Sequence, residues 1–160
     1  LPNQVRIAGG SVASLGAYPL LVVFKLLGYN YKNIKFITHQ ENGIDTMTRM
    51  NFVYDGAIAT SLVAINAKAE GALTISGTKG YVYVPAPWWK TEFFELRFED
   101  VNLNRKYFYK FEGEGLRYEI VEFLTSIRKN SESFLMSHQD MIEEVRVLDK
   151  FVSNTDVTVI

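Results

Sequence analysis

Tyr18 is the polar side chain whose type is best suited to chemistry, and it lies in the glycine-rich segment from Ala8 to Leu20. A phenol donates a proton to a reacting oxygen only if a neighbouring group, typically a lysine, helps to move that proton. Gly10 in the same segment permits close approach of a ligand or of another backbone segment. The structural alternatives are a Tyr18 ring that packs on a sheet and a Gly10 that serves entry into a helix. The residues alone leave these alternatives open.

Two adjacent tryptophans, Trp88 and Trp89, follow the proline-rich stretch Pro85-Ala86-Pro87. An indole ring can stack on a sugar ring. Neighbouring residues of an extended strand point to opposite sides, so at most one of the two would make that contact. Packing in a core or an interface is the alternative. We take Trp88 as the candidate sugar contact.

Established catalytic and cofactor motifs do not occur in the sequence. It has no G-x-G-x-x-G, Walker loop, H-E-x-x-H or G-x-S-x-G pattern. Gly113-Glu114-Gly115 lacks the third glycine of a dinucleotide fingerprint. His39 and His138 are too far apart in the sequence to suggest a local metal pair. We therefore expect this chain itself to bind neither a dinucleotide cofactor nor a metal.

The amino-acid composition excludes several classes of protein and of binding partner. The chain has 17 basic and 18 acidic residues, a balance that gives no general attraction to nucleic acid or anionic lipid. Its longest apolar run, Leu20–Phe24, is too short to span a bilayer. The sequence has no cysteine, which excludes disulfides and fits a reducing compartment. We expect a cytoplasmic protein with no nucleic-acid or membrane partner.

Hydrophobic periodicity predicts a helix, a run of strands and two closing helices. The first helix covers Ser11 to Leu27, with a kink or fresh start at Pro19 and a C-terminal cap at Gly28. Asp55-Gly56 predicts a hairpin with a type I′ turn. Period-two alternation predicts strands over Tyr31–Gln40, Thr46–Tyr54, Ala57–Asn66, Ala72–Ser76, Tyr81–Val84, Phe94–Phe98 and Tyr107–Phe111.

The two closing helices each carry an apolar stripe. Ser137 begins the second of them with a sequence typical of a capping box. The stripes consist of Leu116, Ile120, Leu124 and Ile127 in the first helix and Met141, Val145, Leu148 and Val152 in the second.

A helix followed by hairpin-linked strands and two more helices predicts an α+β fold. We expect a mostly antiparallel open β-sheet with helices packed on one face. Several strands are apolar on both sides, so the other face should be covered as well. The cover would be another subunit or a segment absent from this sequence. That face is available for dimerisation, and we predict a homodimer. Residues 1–160 are predicted to form a single domain.

Three segments, read in order, resemble the C-terminal domain of the Gfo/Idh/MocA oxidoreductases. They are Ala8–Leu20, Ile75–Pro85 with its Gly-Thr-Lys-Gly turn, and Gly113–Ile120 with Gly-Glu-Gly-Leu-Arg-Tyr-Glu. The resemblance covers about Ala8 to Phe151. It is strongest to the branch that contains dimeric dihydrodiol dehydrogenase and glucose–fructose oxidoreductase.

The resemblance implies a substrate-binding and dimerising domain of an NAD(P)-dependent oxidoreductase that acts on a sugar, a polyol or a related hydroxyl or carbonyl compound. Tyr18 matches the family's tyrosine, a candidate proton donor beside the substrate. Gly10 and Ser14 would line the same cleft. The family's N-terminal Rossmann domain, the catalytic lysine of its Glu-Lys-Pro motif and the domain's first strand are not in this sequence. The isolated chain is expected to be inactive.

Ser14 departs from the family, which usually has aspartate at this position. Serine exchanges one hydrogen bond but cannot act as a carboxylate base. This departure keeps a second function open, a non-catalytic stand-alone ligand-binding or assembly module. A third class, a carbohydrate-binding domain, would use Trp88 or Trp89.

Overall fold

The computed structural model of the protein describes residues 9–113 and 115–160. The chain divides into two compact units. One comprises the described residues up to Lys68 together with Phe134–Ile160, and the other is Ala69–Ser133. Ala8 and Glu114, which belong to two of the motifs above, lie outside the described residues. The single domain over 1–160 stays a prediction.

Two helices open the first unit, α1 over Ser11–Leu15 and α2 over Ala17–Leu27. The fresh start predicted near Pro19 is present, and the interruption falls at Gly16. Proline lacks an amide hydrogen but is tolerated in the first turn of α2, where amides have no acceptor within the helix. Gly28 ends α2 as predicted, and its amide donates to the Phe24 carbonyl at 2.8 Å.

A four-stranded sheet lies in the first unit, in the order β3-β2-β1-β8. The strands are β1 (Asn33–Glu41), β2 (Ile44–Val53), β3 (Ile58–Ala64) and β8 (Val157–Val159). β2 is antiparallel to both of its neighbours, whereas β8 pairs parallel to β1. The sequence did not predict β8, because three residues are too few to display an alternation.

The two hairpin turns of this sheet differ in geometry. Asn42 and Gly43 have φ angles of 52° and 78°, which are typical of a type I′ turn between β1 and β2. The hairpin predicted at Asp55-Gly56 is confirmed, but its type I′ turn is wrong, since only Gly56 of that pair has a positive φ, 76°. Of the two dipeptides, Asn42-Gly43 is therefore the one that forms a type I′ turn.

The helices cover one face of this sheet and bury its core, as predicted. The side chains of Phe36 and Met50, on neighbouring strands, are 0% exposed. The buried hydrophobic residues are Val12, Leu20, Val23, Phe24, Ile34, Phe36, Met50, Phe52, Tyr54, Val63 and Val147. The predicted α+β class, mostly antiparallel and open, is confirmed.

The last helix, α4 (His138–Val152), is held to α2 by the buried carboxylate of Asp140. Lys25 Nζ lies 2.6 Å from Asp140 Oδ2, and the Tyr29 hydroxyl donates to Oδ1 at 2.7 Å. The predicted capping box is confirmed: Ser137 Oγ accepts from the Asp140 amide at 3.1 Å, and the Ser137 amide donates to Asp140 at 2.6 Å. Burial opposes ionisation of Asp140, but these hydrogen bonds outweigh it and hold its pKa well below the usual value.

The second unit contains an antiparallel sheet in the order β4-β5-β6-β7 and one long helix, α3. Its elements are β4 (Leu73–Ser76), β5 (Gly80–Val84), β6 (Phe93–Phe98), β7 (Arg105–Phe108) and α3 (Leu116–Lys129). The strands thus form two sheets rather than one, because residues 65–72 are mostly small or polar and interrupt the alternation. None of the described residues of this unit is buried.

The predicted apolar stripes on α3 and α4 are mostly exposed. The α3 stripe is exposed from 43% at Leu124 to 61% at Leu116. Of the predicted α4 stripe only Leu148 packs against the core, and Met141, Val145 and Val152 are exposed. The buried residues of α4 are Asp140, Glu143 and Val147.

The face of the first sheet opposite the helices is open. Ile37, Val53, Ile58 and Leu62 are 41%, 40%, 79% and 46% exposed. Arg49 on β2 pairs with Ile37 on β1 and with Leu62 on β3, so this apolar surface also carries a basic side chain. No helix within the described ranges is long and apolar enough to cross a membrane.

Candidate functional site

Gly10, Ser14 and Tyr18 occur at every fourth position along the α1–α2 segment. The backbone stays in the helical region through Gly16, with φ −63° and ψ −34°. Residues four apart on a helix share a side, and the Ser14 amide donates to the Gly10 carbonyl at 3.0 Å. Ser14 is exposed and Tyr18 is 57% exposed. The structure therefore places Ser14 and Tyr18 on one exposed side of the segment, whereas Gly10 is buried at the start of α1.

The Tyr18 hydroxyl makes no hydrogen bond to any residue in the described ranges. The Tyr18 side chain is 57% exposed. Lys25, the lysine of the same helix, is bound to Asp140 at 2.6 Å. A role of Tyr18 in proton transfer stays a prediction.

Asp45, a residue of β2, holds the start of α1 through two hydrogen bonds. Its Oδ2 accepts hydrogen bonds from Ser11 Oγ at 2.7 Å and from the Val12 amide at 2.8 Å. Gly10 has φ +124°, and a Cβ there would lie 1.9 Å from Asp45 Oδ1. Helix entry therefore requires glycine at this position. A substrate contact by Gly10 remains a prediction.

Trp88 belongs to the second unit, whereas Gly10, Ser14 and Tyr18 belong to the first. It lies in a single-turn helix over Trp88–Lys90, and its ring is perpendicular to that of Trp89, with centroids 5.9 Å apart. Trp88 is half-buried and Trp89 is 56% exposed. The extended strand assumed for these two residues is wrong, since they form a helical turn in which the two rings contact each other edge to face. Sugar binding by Trp88 stays a prediction.

A groove of about 250 Å³ lies on the hairpin of β6 and β7 in the second unit. Its charged side chains bind one another: Arg97 lies 2.7 Å from Glu95, and Lys106 lies 3.5 Å from the same carboxylate. A ligand would have to displace these internal partners. Residues 9–113 and 115–160 contain no group of three or more His, Cys, Asp or Glu side chains that could hold a metal ion.

Sequence reasoning missed Asp45 and Asp140 as organising residues. Asp140 was identified only as part of a capping box. The local sequence signal available for Asp45 was its position just after the Asn42-Gly43 turn. Its contacts with Ser11 and Val12 join residues more than 30 positions apart, which no local pattern displays.

No protein-family model matches this sequence, and neither does any curated protein. Solved structures match it in fold. The 3-ketoreductase KijD10 from Actinomadura kijaniata, in complex with NADP and TDP-benzene, superposes with a TM-score of 0.77 over 95% of this chain and 48% of its own, at 11% identity. Aldose–aldose oxidoreductase from Caulobacter crescentus, complexed with glycerol, gives a TM-score of 0.73 over 91% and 45%, at 14% identity.

A third structure is UDP-N-acetylglucosamine 3-dehydrogenase GnnA from Acidithiobacillus ferrooxidans, with a TM-score of 0.69 over 98% of this chain and 49% of its own, at 12% identity. At such identities the likeness concerns the fold. The predicted resemblance to the Gfo/Idh/MocA oxidoreductases is confirmed at that level, since these structures belong to that family. The chain spans about half the length of each.

Proposed function

We propose, from the fold that this chain shares with about half of each of these oxidoreductases, that it is the substrate-binding and dimerising part of an NAD(P)-dependent oxidoreductase. The substrate would be a sugar, a polyol or a related hydroxyl or carbonyl compound. The observation that carries the proposal is the exposed Tyr18, which lies one turn from Ser14 and whose own hydroxyl has no hydrogen-bond partner among residues 9–113 and 115–160. Two of the matched proteins are named for sugar substrates, and one was solved with NADP.

The described residues do not fit a dinucleotide. A pyrophosphate is usually held at a glycine-rich turn between a parallel strand and a helix. Here the one parallel pair within the described ranges joins β1 to β8, and β1 continues into a hairpin. In the proposal the cofactor is held by another domain and accepts or supplies the hydride.

This chain would then bind the substrate and act on its oxygen. Tyr18 would donate a hydrogen bond, and in the reducing direction a proton, to the reacting oxygen. Ser14 would bind a neighbouring hydroxyl, as donor or acceptor.

Tyr18→Phe removes the hydroxyl and leaves the ring. In a protein that carries this chain with its cofactor domain, we expect kcat to fall about 10²- to 10⁴-fold, the usual contribution of a positioned acid. The measurement is NADPH oxidation with a panel of keto sugars and aldoses. Tyr109→Phe, a change at an exposed tyrosine of the second unit, is the matched control. Full activity of the Tyr18→Phe variant would contradict the proposal.

The isolated chain should not bind the cofactor, because its described residues offer no pyrophosphate turn. We expect no heat of binding when NADH or NADPH is titrated into the chain in a calorimeter. Micromolar affinity would show that the cofactor is held by this chain after all.

The open face of the first sheet is the surface proposed for dimerisation. Four exposed apolar side chains occupy it, and a homodimer would remove them from water. The exposed stripe of α3 is a separate surface and would meet another domain.

Ile37→Lys places a second positive charge beside Arg49 on that face. We expect the wild-type chain to sediment as a dimer at high concentration and this variant as a monomer. Val152→Lys, a change at an exposed site on α4, should leave the dimer intact. A wild-type chain that stays monomeric at high concentration would exclude the proposed interface.

Ser14 supports a second candidate, a non-catalytic ligand-binding or assembly module. Serine in place of the family's aspartate removes a carboxylate from the proposed site. The sequence upstream of Leu1 in the gene discriminates between the two, since a Rossmann pattern there favours the enzyme and an unrelated domain favours the module.

A further inference from the structure

We infer that Asp45 is the positioning residue of the proposed site: its carboxylate ties the start of α1 to the sheet and thereby sets where Ser14 and Tyr18 stand. The inference rests on the proposed function only in assigning those two side chains to the substrate. The attachment of α1 to the sheet through Asp45 is given by contacts within the first unit alone.

The Asp45 side chain points to the helix side of the sheet because of a bulge in β2. In regular alternation, residues 45 and 48 of β2 would point to opposite faces of the sheet. The register of β1 and β2 shifts between His39 and Gln40, so that β2 carries an extra residue there. Such a bulge re-aims the strand. Asp45 consequently reaches the helix side, where Thr48 Oγ1 lies 3.5 Å from its Oδ2.

The contacts of Asp45 with α1 are buried. Asp45 is 8% exposed, and Ser11 and Thr48 are 0% exposed. Hydrogen bonds in such surroundings are electrostatically stronger than those exposed to water. Asp45 therefore holds the start of α1 by buried hydrogen bonds and not by an exposed surface contact.

A chain of hydroxyls extends the attachment into the sheet. Ser11 Oγ lies 3.2 Å from Thr48 Oγ1, which lies 2.8 Å from Thr38 Oγ1 on β1. All three side chains are buried. The start of α1 is thus connected to two neighbouring strands.

The attachment reaches the proposed site through α1. Ser14 is linked to Gly10 by a backbone hydrogen bond of 3.0 Å. Tyr18 follows one turn later on α2, whose Leu20 and Phe24 are buried in the core. α1 has only five residues, too few to be stable by its own propensity. Without Asp45 the start of α1 would lose two hydrogen bonds, and Ser14 would lose its fixed orientation relative to Tyr18.

The test compares Asp45→Ala and Asp45→Asn with a matched change, Asp55→Ala. Asp55 lies in the turn that follows β2, with a side chain that is 86% exposed and pairs only with the exposed Lys32 among the described residues. The first readout is amide hydrogen exchange of the 160-residue chain. We expect Asp45→Ala to lose at least tenfold protection at Val12 and Ser14, with the amides of β1 and β2 unchanged. Asp45→Asn keeps an acceptor oxygen and should restore part of that protection.

The second readout is the ring carbon signal of Tyr18 in tyrosine-labelled protein, identified by its absence in Tyr18→Phe. It should shift in Asp45→Ala, shift less in Asp45→Asn and stay in place in Asp55→Ala. Unchanged protection at Val12, or a uniform loss across both strands, would overturn the inference. If Asp45→Ala does not fold, Asp45→Asn decides in the same way. None of these readouts uses cofactor or substrate, so a failed oxidoreductase assay leaves the result interpretable.

Discussion

Asp140→Ala is expected to lower the free energy of unfolding of the chain by about 3 kcal/mol. The change removes the acceptor for Lys25 and Tyr29 and one half of the capping box with Ser137. Lys25 is 38% exposed in its side chain and can regain water, so the loss lies at the lower end of the range for broken buried pairs. Urea denaturation at pH 7 measures it.

Asp149→Ala is the matched control, because Asp149 is an exposed carboxylate on the same helix. It should change stability by less than about 0.5 kcal/mol. The pKa of Asp140 is lowered in the folded state, so its contribution is present above the usual value of 3.8 and disappears as the pH falls below it. The difference between Asp140→Ala and wild type should shrink in acid. A loss under about 1 kcal/mol at pH 7 would show that α4 does not depend on this carboxylate.

Glu144→Gln is expected to stabilise the protein at neutral and alkaline pH. Burial, and then the negative charge of Asp140 one turn earlier, raise the pKa of Glu144 to about 7. Its buried Oε1 has no hydrogen-bond partner within the described residues. Ionising Glu144 therefore costs more free energy in the folded chain than in the unfolded chain. The resulting loss of folding stability grows from about pH 4.5 to about pH 7.

The full shift corresponds to about 3 kcal/mol, and because the side chain is partly exposed we expect about 2 kcal/mol above pH 7. Below pH 4.5 both states of the wild type are protonated, and the variant should gain little. Urea midpoints at pH 4.5 and pH 8 measure this dependence. Glu119→Gln, on the exposed surface of α3, controls for the loss of one charge. Equal gains at both pH values would mean that Glu144 is not the titrating group.

The sequence predicted the α+β class and all strands but β8 because alternation and turn residues are local signals. Asp55-Gly56 and Ser137 act within a few positions. The buried side of α4 was not predictable in this way, because Lys25 and Asp140 are separated by 115 positions. Tyr18 was selected through its motif and its role stays a proposal, whereas Asp45 was missed because its partners lie on another element.

None of the described residues of the second unit is buried, so the apolar side chains of β5 and β6 stay partly in contact with water in the single chain. Burying them would release further free energy. A molecule that bound this surface and covered it would, by mass action, raise the melting temperature of the second unit as its concentration rose.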